Sequence, residues 1–172
     1  MTGLYLPVLL VVLLHKNGVR MNDESRPART LDRDAINALV PHSGRMLLLD
    51  SLVEWQGDTL HAISRNHTDP EHPLRLDGRL PASAGIEYAA QAMALHSRLQ
   101  ASGGDAPGMP VIAAINALHC AVDRLDNLTG PMDIRVRREH VMAAGAQYTF
   151  SLSRGALELA AGVLLVVWSL AT

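Results

Sequence analysis

From residue 31 onward the hydrophobic pattern changes period several times, and the order of those changes outlines a fold. Residues 33–39 have the spacing of a short leading helix. Residues 46–53 and 59–64 are apolar or alternating runs around Gln56-Gly57-Asp58, a turn sequence, so the pair reads as a hairpin. From about residue 82 to residue 100 the pattern becomes helical, and Ala82, Ala84, Gly85, Ala89, Ala90, Ala92 and Ala94 make that helix a thin rod. Ser102-Gly103-Gly104-Asp105 stops it, and a Gly/Pro connection leads to Met109. Four apolar or alternating runs follow, at 111–122, 132–141, 147–153 and 158–170, with a turn at Ser153-Arg154-Gly155 between the last two. Strands before and after one long helix, without a helix-strand rhythm, predict an α+β domain with an antiparallel sheet. A sheet wraps closely around so thin a rod. The 111–122 run reads as a buried strand on which His119 and Cys120 face opposite ways, so Cys120 is expected to be a packed thiol.

Two parts of the 172 residues are expected to differ in kind. Residues 1–20 form an apolar extension read as a mis-assigned start, with a weak membrane-contacting extension as the alternative, and residues 21–172 form a single domain. Leu4 to Leu14 is too short to span a bilayer as a straight helix, and it lacks the basic start and cleavage site of a secretory signal. A stable membrane span is therefore not expected. The net charge of −2 leaves no electrostatic footprint for nucleic acid. A single cysteine excludes an internal disulfide and fits a reducing, cytoplasmic setting. His61 and His67 lie six apart in an extended run without a Cys or Asp cluster at ligand spacing, so no metal and no cofactor are expected.

The chemistry concentrates around Glu87, a lone acid in the first turns of the small-residue helix. Pro81 suits a helix start, and Ser83 can help satisfy the first-turn amides. A carboxylate there is favoured by the helix dipole, and in an apolar cleft its pKa rises toward general-acid duty. The plainer reading is that Glu87 only complements the dipole. His72, in Asp69-Pro70-Glu71-His72-Pro73-Leu74, lies on the segment that must return to the helix start, with His67 as a rival. Gln91, four residues after Glu87, shares its helix face and either holds the carboxylate or a water, or is an ordinary surface glutamine.

These residues resemble the hot-dog-fold β-hydroxyacyl-acyl carrier protein dehydratases. That family has a catalytic His and a Pro-rich loop, then a Pro-Gly-x-x-Gly/Ile-x-Glu/Asp helix ending in Ala-x-x-Gln. Val40-Pro41-His42-Ser43-Gly44-Arg45, followed by Met46-Leu47-Leu48-Leu49-Asp50, is similar to the family's opening Leu-Pro-His-Arg segment. Gly78-Arg79-Leu80-Pro81-Ala82, Gly85-Ile86-Glu87-Tyr88 and Val122-Asp123-Arg124-Leu125 look like the branch associated with aryl polyene pigment clusters. The likeness runs from about Leu31 to the C-terminus. His72 is followed by Pro73 rather than Phe-Pro and lies one residue further from Glu87 than is usual, and Ala82 stands where the family has glycine.

The resemblance implies a hot-dog fold, an antiparallel sheet wrapped around one long helix. It implies dehydration of a β-hydroxyacyl thioester on acyl carrier protein to the trans-2-enoyl thioester, in fatty acid or aryl polyene biosynthesis. That reaction removes a weakly acidic α proton while protonating a hydroxide leaving group. His72 is the implied base and Glu87 the implied acid, with the two drawn from different protomers. Ala82, Gly85, Gln91 and His42 are expected around the substrate, the amides from Ala82 to Gly85 supplying an oxyanion site. Tyr88 is expected simply to pack. The implied partners are the acyl carrier protein and a second hot-dog subunit, in a homodimer or heterodimer. Arg98, Arg124, Arg135 and Arg137 are docking candidates for an acidic carrier. A hot-dog acyl thioesterase and a non-catalytic hot-dog subunit that binds acyl chains remain the alternatives.

Overall fold

The small-residue stretch opens with a 3-10 turn at Ala82–Ala84 and continues into the long helix. The computed structural model describes residues 30–101 and 109–169. In chain order its elements are β1 (Leu31–Asp32), α1 (Arg33–Asn37), β2 (Ser51–Gln56), β3 (Thr59–Ser64), α2 (Gly85–Gln100), β4 (Met109–Cys120), β5 (Met132–Met142), β6 (Gly145–Arg154) and β7 (Leu157–Ser169). The strands form a seven-stranded sheet in the order β1-β2-β3-β5-β6-β7-β4, antiparallel at each pairing. The fold is the hot-dog: one antiparallel sheet curled around one long helix. Expectations for residues 1–20 and for the turn at 102–105 lie outside the described residues. Among the described residues, no helix is long and apolar enough to cross a membrane.

Small side chains let the sheet close on α2. Tyr88, Ala89, Ala92, Met93 and Leu95 are fully buried on the helix. They meet Leu60, Ala62, Ile134, Tyr148 and Leu152 in the same core cluster. Fully burying a leucine contributes about 1.5–3 kcal/mol. At Gly85 the approach is tight, because a Cβ there would lie 2.9 Å from Leu152 Cδ2. The hairpin turn places Gly57 at φ +52°, a conformation that suits glycine. Its carbonyl accepts from His96 Nε2 at 3.0 Å, and His96 Nδ1 takes the Tyr148 hydroxyl at 3.0 Å. A buried histidine thus ties the far end of α2 to the β2–β3 turn.

The 111–122 run is a strand, but not a buried one. Among the described strands β4 pairs only with β7, and Val111, Ile115 and Leu118 are 44%, 49% and 39% exposed. Cys120 is likewise exposed rather than packed. An apolar run identifies a strand without revealing its place in the strand order, and here that place is the sheet edge.

Candidate active site

Gln91 fixes the geometry around Glu87. Its side-chain amide donates to Met46 O at 2.8 Å and to Glu87 Oε1 at 3.0 Å, while its Oε1 accepts the Leu48 N–H at 2.8 Å. Two of these three bonds, to Met46 and Leu48, hold the opening loop against α2, and the third steadies Glu87 from the same fully buried side chain. Arg33 grips that loop from its other side, reaching Leu47 O at 2.7 Å, Gly44 O at 3.2 Å and the carboxylate of Asp50 at 2.7 Å. The loop so held presents His42, whose Nε2 lies 3.3 Å from Glu87 Oε1. Both side chains remain partly open to solvent, at 31% for His42 and 29% for Glu87. The three residues His42, Glu87 and Gln91 are therefore brought together within one protomer.

His72 is held elsewhere. The Leu74 N–H points at its Nδ1 at 3.2 Å, so the neutral ring carries its proton on Nε2. That proton faces the Tyr88 hydroxyl at 2.9 Å, which in turn donates to Asn66 Oδ1 at 2.8 Å. Ser64 Oγ reaches the same Asn66 oxygen at 2.9 Å, and Asn66 Nδ2 donates to Leu48 O at 3.2 Å. Burial, seconded by the nearby Arg75 cation, lowers the His72 pKa below the usual histidine value. Burial likewise raises Tyr88 well above the ordinary phenol range, so its proton stays on. Tyr88 does pack, but it is also the hydrogen-bond partner of His72. Successive residues of an α-helix project about 100° apart. Within a protomer, His72 meets α2 on the Tyr88 face and His42 meets it on the Glu87 face.

The loop that carries His72 is organised by Arg75. This guanidinium donates to Asp69 O and Gly78 O, both at 2.7 Å, and to Asp126 Oδ2 at 3.0 Å. Asp77 and Gly78, with φ +49° and +72°, make a tight turn in which Leu76 and Arg79 exchange backbone bonds of 2.8 and 2.9 Å. The chain then runs into Leu80, whose N–H reaches Asp126 Oδ1 at 3.0 Å. The hydrogen bond from Arg124 holds the Asp126 carboxyl far below the usual carboxylate range. Sequence reasoning did not single out Asn66, Arg75 or Asp126. The Asp77-Gly78 pair, a turn sequence it also passed over, is the local signal that could have located the bend in this loop.

Several expectations need correction. The amides from Ala82 to Gly85 are not a free row of donors. Ala82 N–H goes to Asp123 O at 3.0 Å, Ala84 N–H to Pro81 O at 3.0 Å, and that of Gly85 to Ala82 O and Ser83 O. The 3-10 turn absorbs donors that a plain helix start would leave open. Ser83 is exposed, and neither helical start has a side-chain cap. Gly85 is packed against Leu152, and Ala82 is buried in the core cluster. Arg124 is engaged by Asp126 through both Nε and Nη2, which leaves it less available for docking. Arg135 and Arg137 keep half or more of their side chains exposed, at 50% and 64%. His67 is buried with Nε2 on Leu128 O at 3.0 Å, tethering the 66–68 turn to the segment before β5.

Comparison with known proteins places this geometry in context. The dehydratase subunits of the ApeI:P heterocomplex from Xenorhabdus doucetiae include a chain that superposes with a TM-score of 0.69 at 19% identity, over 78% of this chain and 91% of that one. The dehydratase domain of RzxB from Pseudomonas fluorescens matches with a TM-score of 0.59 at 17% identity, over 83% of this chain and 50% of that one. The PaaI protein of the E. coli phenylacetic acid degradation operon is similar at a TM-score of 0.52 and 9% identity, over 67% of this chain and 80% of that one. At such identities these likenesses establish the fold. No curated protein sequence matches the chain. The profile of the ApeP dehydratases does match, over residues 34–169, a span that takes in the opening loop, the His72 loop, α2 and the strands β2 to β7. The chain therefore belongs to the ApeP-like dehydratase family.

Proposed function

We propose that this dehydratase acts on a β-hydroxyacyl thioester carried by an acyl carrier protein in the cytoplasm, converting it to the trans-2-enoyl thioester. The observation that carries the reading is Glu87, a partly exposed carboxyl in the first turn of α2 with one oxygen already held by Gln91. His72 takes the α proton, electrons from that C–H bond form the C=C bond, and the β C–O bond breaks as Glu87 gives its proton to the departing hydroxyl. The products are the enoyl thioester and water. His72 becomes a base at Nε2 when its ring proton sits on Nδ1, so the ring must release the Leu74 N–H from Nδ1 and substrate must displace the Tyr88 hydroxyl from Nε2.

Residues on different faces of one helix serve one site most simply when the site is shared between protomers. The His72–Tyr88 contact and the Glu87–Gln91 contact support that arrangement. The open edge of β4, with Val111, Ile115 and Leu118 exposed, supports pairing with a second hot-dog chain, either another copy or a related subunit. Exposed Arg98, Arg135 and Arg137 are the docking cations proposed for the acidic carrier.

The test is turnover of several β-hydroxyacyl thioesters by the full chain, alone and with a second hot-dog subunit, while following enoyl absorbance and free thiol together. Enoyl formation without thiol release is expected. Thiol release without enoyl would replace the reading by a thioesterase, and no reaction in either arm would leave an acyl-binding subunit.

A further inference from the structure

His42 lies outside the acid-base pair, yet the fold places it with care. Gln91 staples Met46 and Leu48 to α2, Arg33 holds Gly44 and Leu47 from the opposite side, and His42 stands at the end of the loop so fixed. The result brings a ring nitrogen to an oxygen that already has a donor: Gln91 Nε2 donates to Glu87 Oε1 at 3.0 Å, and His42 Nε2 lies within ion-pair reach of the same oxygen at 3.3 Å. The other ring nitrogen, His42 Nδ1, is buried without a partner among the described residues. An N–H at Nε2 is the form attracted to a carboxylate oxygen, so the contact favours the tautomer that leaves Nδ1 bare.

We propose that His42 is a positioning residue for Glu87. With Gln91 it fixes Oε1, so that Oε2 is the oxygen that carries the transferred proton and faces the departing hydroxyl. The inference rests on the reading of Glu87 as the general acid. Protonation of Oε1 would displace the Gln91 donor and set a proton against the neighbouring His42 ring, whereas protonation of Oε2 disturbs neither. The loop therefore selects which oxygen is acidic and holds its direction, while His42 itself touches only the carboxyl group.

The test is a set of variants assayed on a β-hydroxyacyl thioester, each checked for a cooperative melt. His42→Ala should lower kcat by about ten- to a hundredfold, the usual effect of losing alignment of a reacting group, with KM nearly unchanged. His42→Gln keeps an N–H donor at a similar reach and should recover most of that loss. His42→Ala combined with Glu87→Gln should be no slower than Glu87→Gln alone, because a positioning residue acts through the group it positions. If Glu87→Gln is inactive but His42→Ala keeps its wild-type kcat, or if the double variant loses both factors independently, the role of His42 falls and the dehydratase reading stands. If Glu87→Gln keeps full activity, the acid assignment falls and this inference with it. Should His42→Ala fail to fold, His42→Leu and His42→Gln decide together: turnover lost in the leucine variant and restored in the glutamine variant, both with a wild-type melt, supports the proposal, and equal turnover in the two overturns it.

Discussion

A glutamate that protonates a leaving group must keep one oxygen free, and Glu87 meets that requirement by placing its other oxygen on Gln91. Glu87→Gln keeps the shape and the hydrogen-bonding capacity but removes the acid. Turnover should fall by about a hundredfold to ten-thousandfold with an unchanged melt, measurable by enoyl absorbance. Tyr88 is a different case, since its hydroxyl joins His72 to Asn66 inside the core. Tyr88→Phe leaves both groups short of a partner and should cost about 1–3 kcal/mol by denaturant titration. The Glu87–Gln91 contact was legible in the sequence because i,i+4 spacing is a local rule. The contact from His42 to Glu87 was not, because it crosses a gap of loop and hairpin that only the completed fold closes.

Elements show the same division. Turn residues and alternation located the second hairpin strand, the long helix and the last four strands to within a few residues, but the apolar run 46–53 set the first hairpin strand too early: β2 starts at Ser51, and Leu47 to Leu49 are buried in the loop before it. Strand order is not local, and that is why the apolar run of β4 read as core although it lies at an edge. On β4, Ile115 pairs in register with Leu164 of β7 and is 49% exposed. Ile115→Lys should weaken association of protomers in sedimentation at micromolar concentration while leaving the protomer's circular dichroism unchanged. The loop of His72 was equally hidden, because its centre is a cation, Arg75, that bonds residues before it, after it and on the Asp126 segment. Arg75→Met keeps the alkyl stem but removes these bonds and leaves Asp126 with one fewer partner. It should raise amide hydrogen exchange across residues 68–80 and slow turnover through His72, with the α2 amides unchanged.

At the scale of the whole molecule, buried histidines set its response to acid. Burial lowers the pKa of His67, His72 and His96 below the ordinary 6.5. Below pH 6.5 the unfolded chain therefore binds protons that the folded chain refuses. Stability is at its full value above that pH and declines as pH falls toward the depressed folded values. Asp126 adds a second loss in stronger acid: its folded pKa is lowered from 3.8, so its contribution is present above that value and disappears as pH falls through the folded one. The melting temperature should be level near neutrality, fall from about pH 6.5 downward and fall again below about pH 4. A melt that rose on acidification from neutrality would show that these rings are not held neutral by the fold.

The central claim is that one site takes its histidine and its acid from two protomers. The most direct measurement mixes His72→Ala with Glu87→Gln, lets subunits exchange, verifies mixed dimers by native mass spectrometry and assays dehydration. Each parent dimer lacks one group at both sites, whereas a mixed dimer has one intact site. The account predicts inactive parents and a mixture recovering about a quarter of the wild-type rate, as random pairing in a two-fold dimer gives. Mixed dimers that stay as inactive as their parents, or a His72→Ala parent that dehydrates at the wild-type rate, would contradict it.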